Sequence, residues 1–546
     1  MPCFNHPFQT PLKHSYPHLD PLYDTMPCFN QPLGLSTGTK IPQPCRQQDL
    51  AGTSSSKSVQ NKDERHSCHT ERSECISIFS GKFVSLRPIK RTCMASREKF
   101  GGRAAVILAL AGSAIGLGNI WRFPYLVGMN GGAAFIFIYI GFVLLLSIPI
   151  FLAESIIGRS SGANCRVAIG QLVPGRAGRW FGLLMVFTPL WIVSYYSVVG
   201  GWSLDFLVKA CTLEFTTTSP ELVKGTFGTF ISSTWAPLLY HLLFLALTVG
   251  IVAFGVKSGI ERFSKVSIPI LFVLILVIAG YSISLPGAKE GIYYLTHPDF
   301  SKVTVQTFVN ALGQSFYSIS LGMGIIITYS SYVSKNENLM VSAVGTSVSD
   351  LLFAYIAGFA ILPAVFAAGI APGTGPGLVF DTLPYIFSSM AGQMPVASAI
   401  AAILFFAAIL VAALTSSVSL IEVGVAYLTE SKGFSRTKAC IVLFFICGAA
   451  GALCSLSFGP LSGIKLFGGG LFDFADSFAS NVLLIMGALI CVILVGWVMP
   501  RKKLFAEFTN RGTLARNVRL FPVFHFLVRY VAPLGILALV IASVLL

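Results

Sequence analysis

The feature that most constrains this chain is a series of apolar segments, each long enough to cross a lipid bilayer. Hydrophobic residues make up 54% of the 546 residues and charged residues only 11%. A helix needs roughly 20 apolar residues to span the hydrocarbon core. The sequence therefore predicts an all-α polytopic membrane protein with eleven membrane helices, at 103–127, 132–158, 181–208, 237–255, 266–285, 306–332, 341–369, 396–428, 437–458, 466–499 and 523–546.

Residues 1–93 differ from the rest of the chain. They are polar, rich in Pro, Ser, His and Gln, and they repeat the sequence MPCFN at Met1 and Met26. Such a stretch has too little apolar surface to offset its ordering entropy. We expect either a disordered extension or a start codon assigned too far upstream. We favour the second, because Met94 begins a short lead into the first helix, and the predicted membrane domain is then 94–546.

The positions of the basic residues predict the orientation. The net charge is +15, and Lys and Arg concentrate in the loops that follow even-numbered helices, such as 501–519. Cytoplasmic loops carry an excess of Lys and Arg. We therefore expect a multi-pass protein of the plasma (inner) membrane with a cytoplasmic N-terminus and an external C-terminus.

Two of the predicted helices are interrupted by glycine. Residues 111–125 read AGSAIGLGNIWRFPY, and residues 318–324 of helix 6 read SISLGMG. Broken helices are tolerated in a membrane where the freed backbone groups face protein or water. Close packing of small residues is the alternative explanation. If helices 1–5 and 6–10 form two halves, each half has an odd number of helices, so the two breaks face each other, as in inverted-repeat transporters.

At these residues the chain resembles the neurotransmitter:sodium symporter family, in its bacterial eleven-helix branch. The resemblance covers Arg97 to Leu546 and depends on GLGNIWRFPY, NGGAAF at 130–135, QSFYSISLGMG at 314–324 and ALTSS at 413–417. It implies a LeuT-type 5+5 inverted repeat with interrupted helices 1 and 6 and one additional C-terminal helix.

The resemblance also implies a substrate site between the breaks. Backbone N–H groups of Leu117 and Gly118 and the Tyr196 hydroxyl would hold a carboxylate, since a half-helix N-terminus favours an anion. Gly116 stands where amine-selective members carry Asp, so an amino acid is favoured over a monoamine. The apolar, roomy remainder predicts a bulky hydrophobic or aromatic amino acid. The implied substrate residues are Ala114, Leu117, Gly118, Ile192, Tyr196, Tyr317, Ser318, Ser320, Met323, Ser416, Ser417 and Leu420.

Two sodium sites are implied, and both offer only oxygen, which hard cations prefer. The first would use Ala114, Asn119, Ser318, Asp350 and the substrate carboxylate. The second would use the carbonyls of Gly112, Ile115 and Ala412 with the hydroxyls of Thr415 and Ser416. For the hydroxyls the alternative is bonding back to the preceding helical turn.

Asp350 departs from the many family members that carry an amide there and use chloride nearby. Tyr139, Gln314 and Ser318 match other positions of the family's chloride site. A carboxylate inside a membrane helix is a functional hypothesis by default. Its fixed charge implies that chloride is not required, and a structural Asp bonded to neighbouring hydroxyls is the alternative.

The resemblance implies two gates. Arg122 would pair with Asp476 on the outer side, above Tyr196 and Tyr317. Arg97 would pair with Glu430 on the cytoplasmic side, with help from Phe100 and Tyr332. In helix 5, Gly259 and Pro269 resemble an element that unwinds, since proline removes a backbone donor.

Together these features predict a sodium-coupled amino acid symporter that works by alternating access, and not an enzyme. A proton-coupled carrier using Asp350 or Glu422 is the nearest alternative. A substrate-gated channel or a non-transporting receptor is a further one. The lipid bilayer and a small-molecule amino acid are the expected partners, and nucleic acid is not.

Overall fold

The computed structural model describes residues 98–369 and 377–545, together with two short strands before them. Strands β1 (Ile78–Phe79) and β2 (Lys82–Phe83) pair antiparallel. The predicted boundary at residue 94 lies outside the described residues, as does Arg97.

Eleven helical segments, which we number as spans 1 to 11, account for most of the described chain. Nine are helices that each meet the length and composition for crossing a bilayer. Span 1 consists of Arg103–Ala114 and Gly118–Met129, which meet at 57°, and span 6 consists of Val305–Ser318 and Ile325–Ser330. The continuous spans are span 2 (Ala133–Ser161), span 3 (Arg176–Cys211), span 4 (Trp235–Ala253), span 5 (Val256–Ser284), span 7 (Leu339–Ala367), span 8 (Pro395–Lys432), span 9 (Arg436–Leu456), span 10 (Leu471–Val498) and span 11 (Ala515–Ala542).

Short helices connect the spans. At one end of the bundle they are Cys165–Leu172 and Arg501–Thr509. The remaining ones are Glu214–Thr217, Pro220–Val223, Thr226–Ser232, Ala288–Thr296, the 3₁₀ turn Phe300–Lys302 and the apolar Leu378–Ala391. Apolarity alone predicted none of them, since each is too short to span.

Several predicted span boundaries were wrong, mostly at charged ends. Span 5 begins at Val256 rather than 266, and span 11 begins at Ala515 rather than 523. The first turns of span 5 carry charges that are paired locally, since Lys265 Nζ lies 2.7 Å from Glu261 Oε1. A helix can therefore continue beyond its apolar window into the polar region of the membrane.

The two ends of the bundle are chemically different. The basic end, as we name it, contains Arg159 in the last turn of span 2, the loop with Lys335 and the short helix Arg501–Thr509, and ion pairs join these three segments. The vestibule end is the opposite one, where Arg122 and Asp476 line a cavity.

Candidate functional site

The breaks in spans 1 and 6 lie against each other in the bundle core. Ser320 has a left-handed backbone (φ 58°), and its hydroxyl donates to the Ser113 carbonyl at 3.0 Å. The Ser416 hydroxyl of span 8 donates to the same carbonyl at 3.4 Å. The carbonyl freed by the first break is therefore satisfied by hydroxyls from two other spans, as burial of a backbone polar group requires.

A cavity of about 30 Å³ lies between the breaks. Most of the predicted substrate residues line it: Ala114, Leu117, Gly118, Ile192, Tyr196, Tyr317, Ser318, Ser320, Met323, Ser416 and Leu420. Ser113, Gly116 and Ile325 also line it, and they were not among the predicted set. The prediction of a roomy pocket was wrong for this conformation, since the cavity holds about two water molecules.

Ser417 does not line this cavity, contrary to prediction. Its hydroxyl lies 2.8 Å from that of Thr248 on span 4. On a helix, residues four apart share a face whereas adjacent residues do not. Ser416 and Leu420 therefore face the cavity, and Ser417 faces a neighbouring span.

Donors for an anion converge at the first break. The Leu117 N–H donates to the Tyr196 hydroxyl at 3.4 Å. A Cβ added at Gly116 would lie 2.4 Å from Ser416 Oγ and 3.2 Å from the Tyr196 oxygen. The position leaves no room for an Asp side chain without movement of span 8.

The first predicted sodium site is a buried cluster of oxygen-bearing side chains. Asn119 Nδ2 lies 2.7 Å from Asp350 Oδ1, and Ser318 Oγ donates to Asp350 Oδ2 at 2.8 Å. The Tyr139 hydroxyl donates to Asp350 Oδ2 at 3.4 Å. Gln314 instead donates to the Gly118 carbonyl at 3.4 Å. The carboxylate and hydroxyl oxygens suit a hard cation, and the carboxylate supplies negative charge where Tyr139 and Ser318 meet.

The second predicted site joins spans 1 and 8. Thr415 Oγ1 lies 2.9 Å from the Ala412 carbonyl oxygen and 3.4 Å from that of Ile115. Ser416 Oγ lies 3.5 Å from the Ile115 carbonyl oxygen. The Thr415 hydroxyl bonds back to the preceding turn of its own helix, which is the alternative to a sodium ligand given above. The same hydroxyl also lies within reach of the break in span 1. At Gly112 the chain packs closely on span 5, where a Cβ would lie 3.3 Å from Ile268.

The vestibule end contains a cavity of about 340 Å³ above the central one. Leu117, Gly118, Tyr196 and Tyr317 line both cavities and form the partition between them. The Arg122 guanidinium lies 4.8 Å from the centre of the Tyr317 ring. Within the described chain no ion pair within 4.0 Å joins Arg122 to Asp476, so the predicted outer pair is not formed here.

The basic end is closed by a buried carboxylate. Glu422 of span 8 lies 2.5 Å from Arg436 of span 9 and accepts the Tyr332 hydroxyl at 2.7 Å. Phe100 packs edge-on against Tyr332, with ring centres 6.0 Å apart. Glu430 accepts two hydrogen bonds from Asn164, at 2.8 and 2.9 Å. The sequence placed Tyr332 and Phe100 at this gate but missed the pairing of Glu422 with Arg436.

A second charged network at the basic end involves Glu507. Its carboxylate lies 2.9 Å from Arg159 Nε and 2.8 Å from Lys335 Nζ. Burial raises the pKa of Glu507, but the hydrogen bond from Lys335 and the charge of Arg159 outweigh burial and hold that pKa below its ordinary value. The network connects the end of span 2, the loop after span 6 and the short helix between spans 10 and 11.

Sequence reasoning also missed Glu154 of span 2. This side chain is fully buried, and Oε1 accepts the Gly322 N–H of the second break at 2.7 Å. An acidic residue in the middle of an apolar span was a sufficient signal, because such a residue is costly in a membrane unless it is paired.

Comparisons with known proteins agree with one another. Residues 97–223 and 231–546 match the Sodium:neurotransmitter symporter family. The chain is 37% identical to "Uncharacterized sodium-dependent transporter YhdH" of Bacillus subtilis (strain 168), over 80% of this chain and 96% of that protein. It is 35% identical to an "Uncharacterized sodium-dependent transporter" of Haemophilus influenzae, over 82% and 98%. Among solved structures, "Crystal structure of MhsT in complex with L-phenylalanine" shares 41% sequence identity with a TM-score of 0.75, covering 82% of this chain and 100% of that one.

Proposed function

This chain belongs to the sodium:neurotransmitter symporter family, and we propose that it imports a bulky hydrophobic or aromatic amino acid together with sodium. It is a sodium-dependent membrane transporter of the LeuT-type 5+5 inverted-repeat fold and not an enzyme. The proposal concerns the substrate, the sodium sites, the direction and the gates.

The substrate class rests on the cavity between the breaks. Gly116 carries no acid that could bind an amine lacking a carboxylate. The Tyr196 hydroxyl and the Leu117 N–H offer hydrogen-bond donors for a substrate carboxylate. The cavity lining also includes the apolar side chains of Ile192, Met323 and Leu420. Met is adaptable, and a larger substrate would require Met323 and the partition to change position. The related MhsT has been crystallised with L-phenylalanine.

We propose two sodium sites, at Asn119–Ser318–Asp350 and at Thr415–Ser416 with nearby carbonyls. The substrate carboxylate would complete the first site, so each ligand would raise the affinity for the other by the same factor. The Asp350 carboxylate would supply the fixed negative charge, and chloride would not be required.

The remaining proposals concern topology. The basic end would face the cytoplasm by the positive-inside rule, with the vestibule outside. Residues 94–546 would form the transporter domain.

Uptake into proteoliposomes tests the function. We expect accumulation of a labelled aromatic amino acid with an imposed sodium gradient, and none when choline replaces sodium. Accumulation that follows a pH gradient without sodium would establish the proton-coupled alternative, whereas binding without accumulation against a gradient would indicate a channel or a receptor. Competition by each of the twenty amino acids identifies the substrate.

Variants of the sodium sites have a matched control in the same helix. Asn119→Ala and Thr415→Ala should each raise the sodium concentration for half-maximal uptake, since each removes an oxygen ligand. Ser417→Ala also removes a buried hydroxyl of span 8 but leaves both sites intact, so its sodium dependence should match the wild type. Equal sodium dependence in Thr415→Ala and Ser417→Ala would remove Thr415 from the site.

The role of Asp350 is tested by exchanging the anion. Wild-type uptake should be the same in chloride and in gluconate, and Asp350→Asn should lower sodium affinity, with partial recovery in high chloride. Strict chloride dependence of the wild type would contradict the fixed-charge proposal.

A further inference from the structure

An arginine stands inside the last membrane span. Arg529 lies in span 11, which buries 28% of its most apolar window, the smallest share among the nine continuous helices that meet the spanning criteria. Its guanidinium carbon lies 4.3 Å from the centre of the Trp497 ring and 5.6 Å from that of Tyr530. A charged residue within a membrane span that largely faces lipid needs a compensating interaction.

The described protein provides no acidic partner for Arg529. None of the ion pairs among the described residues includes it. Its Nε atom is buried and has no hydrogen-bond partner within the described chain. Cation–π contacts with the Trp497 and Tyr530 rings stabilise the face of the guanidinium. Its two Nη groups donate no hydrogen bond to the described chain and are left to a ligand.

A second arginine and a histidine lie near Arg529. His525 is within electrostatic reach of both Arg501 and Arg529. Arg501 and His525 pack on Phe521, each about 5.9 Å from the ring centre. Glu507 is the sole Asp or Glu in the sequence after Asp476, and it is bound to Arg159 and Lys335. The seam between spans 10 and 11 therefore concentrates positive charge with no local acid to neutralise it.

The surroundings of these charges suit a lipid rather than a free ion. Trp497, Phe526 and Tyr530 are 56%, 55% and 44% exposed, and amphipathic aromatic rings are enriched at the headgroup level of membranes. The Trp497 indole N–H donates to the Arg529 carbonyl at 3.1 Å, which holds the ring against the guanidinium. Exposed rings can pack on the glycerol and the start of the acyl chains.

We propose that Arg529, with Arg501 and His525, binds the phosphate group of an anionic phospholipid at the seam between spans 10 and 11. The two Nη groups of a guanidinium can bind two phosphate oxygens in a bidentate arrangement. Basic sites of this kind between membrane helices bind anionic headgroups. The bound lipid would supply the counter-charge that the chain does not.

Binding is measured on the full chain purified in detergent. Phosphatidylglycerol, phosphatidylcholine or inorganic phosphate is added, and native mass spectrometry counts bound lipids while thermal unfolding reports stabilisation. The wild type should bind phosphatidylglycerol at least about five-fold more tightly than phosphatidylcholine, as one basic residue near the surface provides. Equal stabilisation by inorganic phosphate would overturn the assignment to a lipid.

The variants include a matched control. Arg529→Gln should lose the preference for phosphatidylglycerol, and Arg529→Lys, which keeps the charge without the planar fork, should retain part of it. Lys502→Gln removes an exposed charge next to Arg501 and should retain the full preference. If Arg529→Gln does not fold, Arg501→Gln replaces it and should weaken the preference. An unchanged preference in the folded Arg529 or Arg501 variant would overturn the proposal and indicate an arginine satisfied by aromatic stacking alone.

Discussion

Each end of the bundle contains an arginine and a carboxylate, but the two pairs differ in whether their charges are in contact. At the vestibule end, Arg122 and Asp476 line a cavity of about 340 Å³ without forming an ion pair. At the basic end, Glu422 contacts Arg436 and Tyr332, and its side chain is 0% exposed. We therefore call the vestibule end open, because it contains this cavity, and the basic end closed, because a buried ion pair joins two spans there. The partition still separates the central cavity from the vestibule.

This difference indicates which steps of the conformational change cost free energy. Separating a buried ion pair leaves each charge poorly solvated, and removing one partner costs about 3–5 kcal/mol. Closing the vestibule requires the reverse, because Arg122 and Asp476 must lose water before they meet. Ligand binding must offset these free-energy costs. The opening and closing of each end therefore depend on which ligands are bound.

Removal of Arg436 should have the largest effect on this asymmetry. Arg436→Ala leaves the Glu422 carboxylate buried, with the Tyr332 hydroxyl still donating to it. Closure should therefore weaken by about 3 kcal/mol, or roughly a hundred-fold in population. We expect sodium-driven uptake to fall at equal protein abundance. Alkylation of Cys440, buried one turn from Arg436, should increase.

Two comparisons control this experiment. Lys438→Ala removes an exposed charge from the same helix and should leave both readouts unchanged. Cys211, exposed at the other end of the bundle, should be alkylated equally in all proteins. Unchanged Cys440 labelling in Arg436→Ala would mean that this pair does not hold the basic end closed.

The Glu507 network should rank second. Glu507→Ala leaves Arg159, whose side chain is 1% exposed, without its acidic partner. Arg159 would still donate to the backbone carbonyls of residues 337 and 507, so the basic end should lose about 2 kcal/mol, less than on loss of Arg436. Because the pKa of Glu507 is lowered on folding, its contribution is present above the unfolded-state pKa and is lost as the pH falls through the folded-state pKa. Thermal unfolding at neutral and acidic pH measures both effects. Lys503→Ala, on the same short helix, should unfold like the wild type, and equal stability of the two variants would contradict the ranking.

A smaller change is expected at the open end. Asp476→Asn removes a charge that forms no ion pair in this conformation, so the open form should keep its stability. The closed form should lose about 1 kcal/mol, and uptake should fall about five-fold. Asp473 lines the same cavity. In the Asp473→Asn variant the side-chain oxygen can still accept the Gly470 N–H, so this variant should transport normally. A marked loss of thermal stability in Asp476→Asn would show that the residue already stabilises the open form.

The smallest effect is expected for Arg103. Its side chain is 58% exposed and lies 3.5 Å from Glu337, and exposed pairs contribute about 0.5 kcal/mol or less. Arg103→Gln should therefore change uptake and Cys440 labelling by less than about two-fold. A change as large as that of Arg436→Ala would show that burial does not decide which basic-end pairs matter.

Much of the fold follows from apolar segments and glycine breaks, which depend on local sequence. The break in span 1 at 115–117 and the break in span 6 after Ser318 were visible as Gly-rich interruptions of apolar runs. The start of span 5 was not, because the pairing of Glu261 with Lys265 allows a charged turn to remain helical.

The site was predictable where a motif determines the backbone. Tyr196 and Leu117 meet as expected, whereas the direction of Ser417 depends on the rotation of span 8 against span 4. The pair of Glu422 and Arg436 joins two spans through a turn of the chain, and nothing in the residue spacing identifies it. The small central volume depends on rotamers of Tyr317 and Met323, which no sequence pattern specifies.

The hydrogen-bonded Asp350 carboxylate has an electrical consequence. A carrier that borrows a chloride ion moves an anion alongside its sodium, and that anion cancels part of the charge that crosses the bilayer. A carboxylate belonging to the protein would not be delivered with the cargo, so under the proposed role of Asp350 each sodium ion would be transferred with its full charge. A voltage of 100 mV does about 2.3 kcal/mol of work on each such charge. With the two proposed ions, voltage alone could support an accumulation of roughly a thousand-fold.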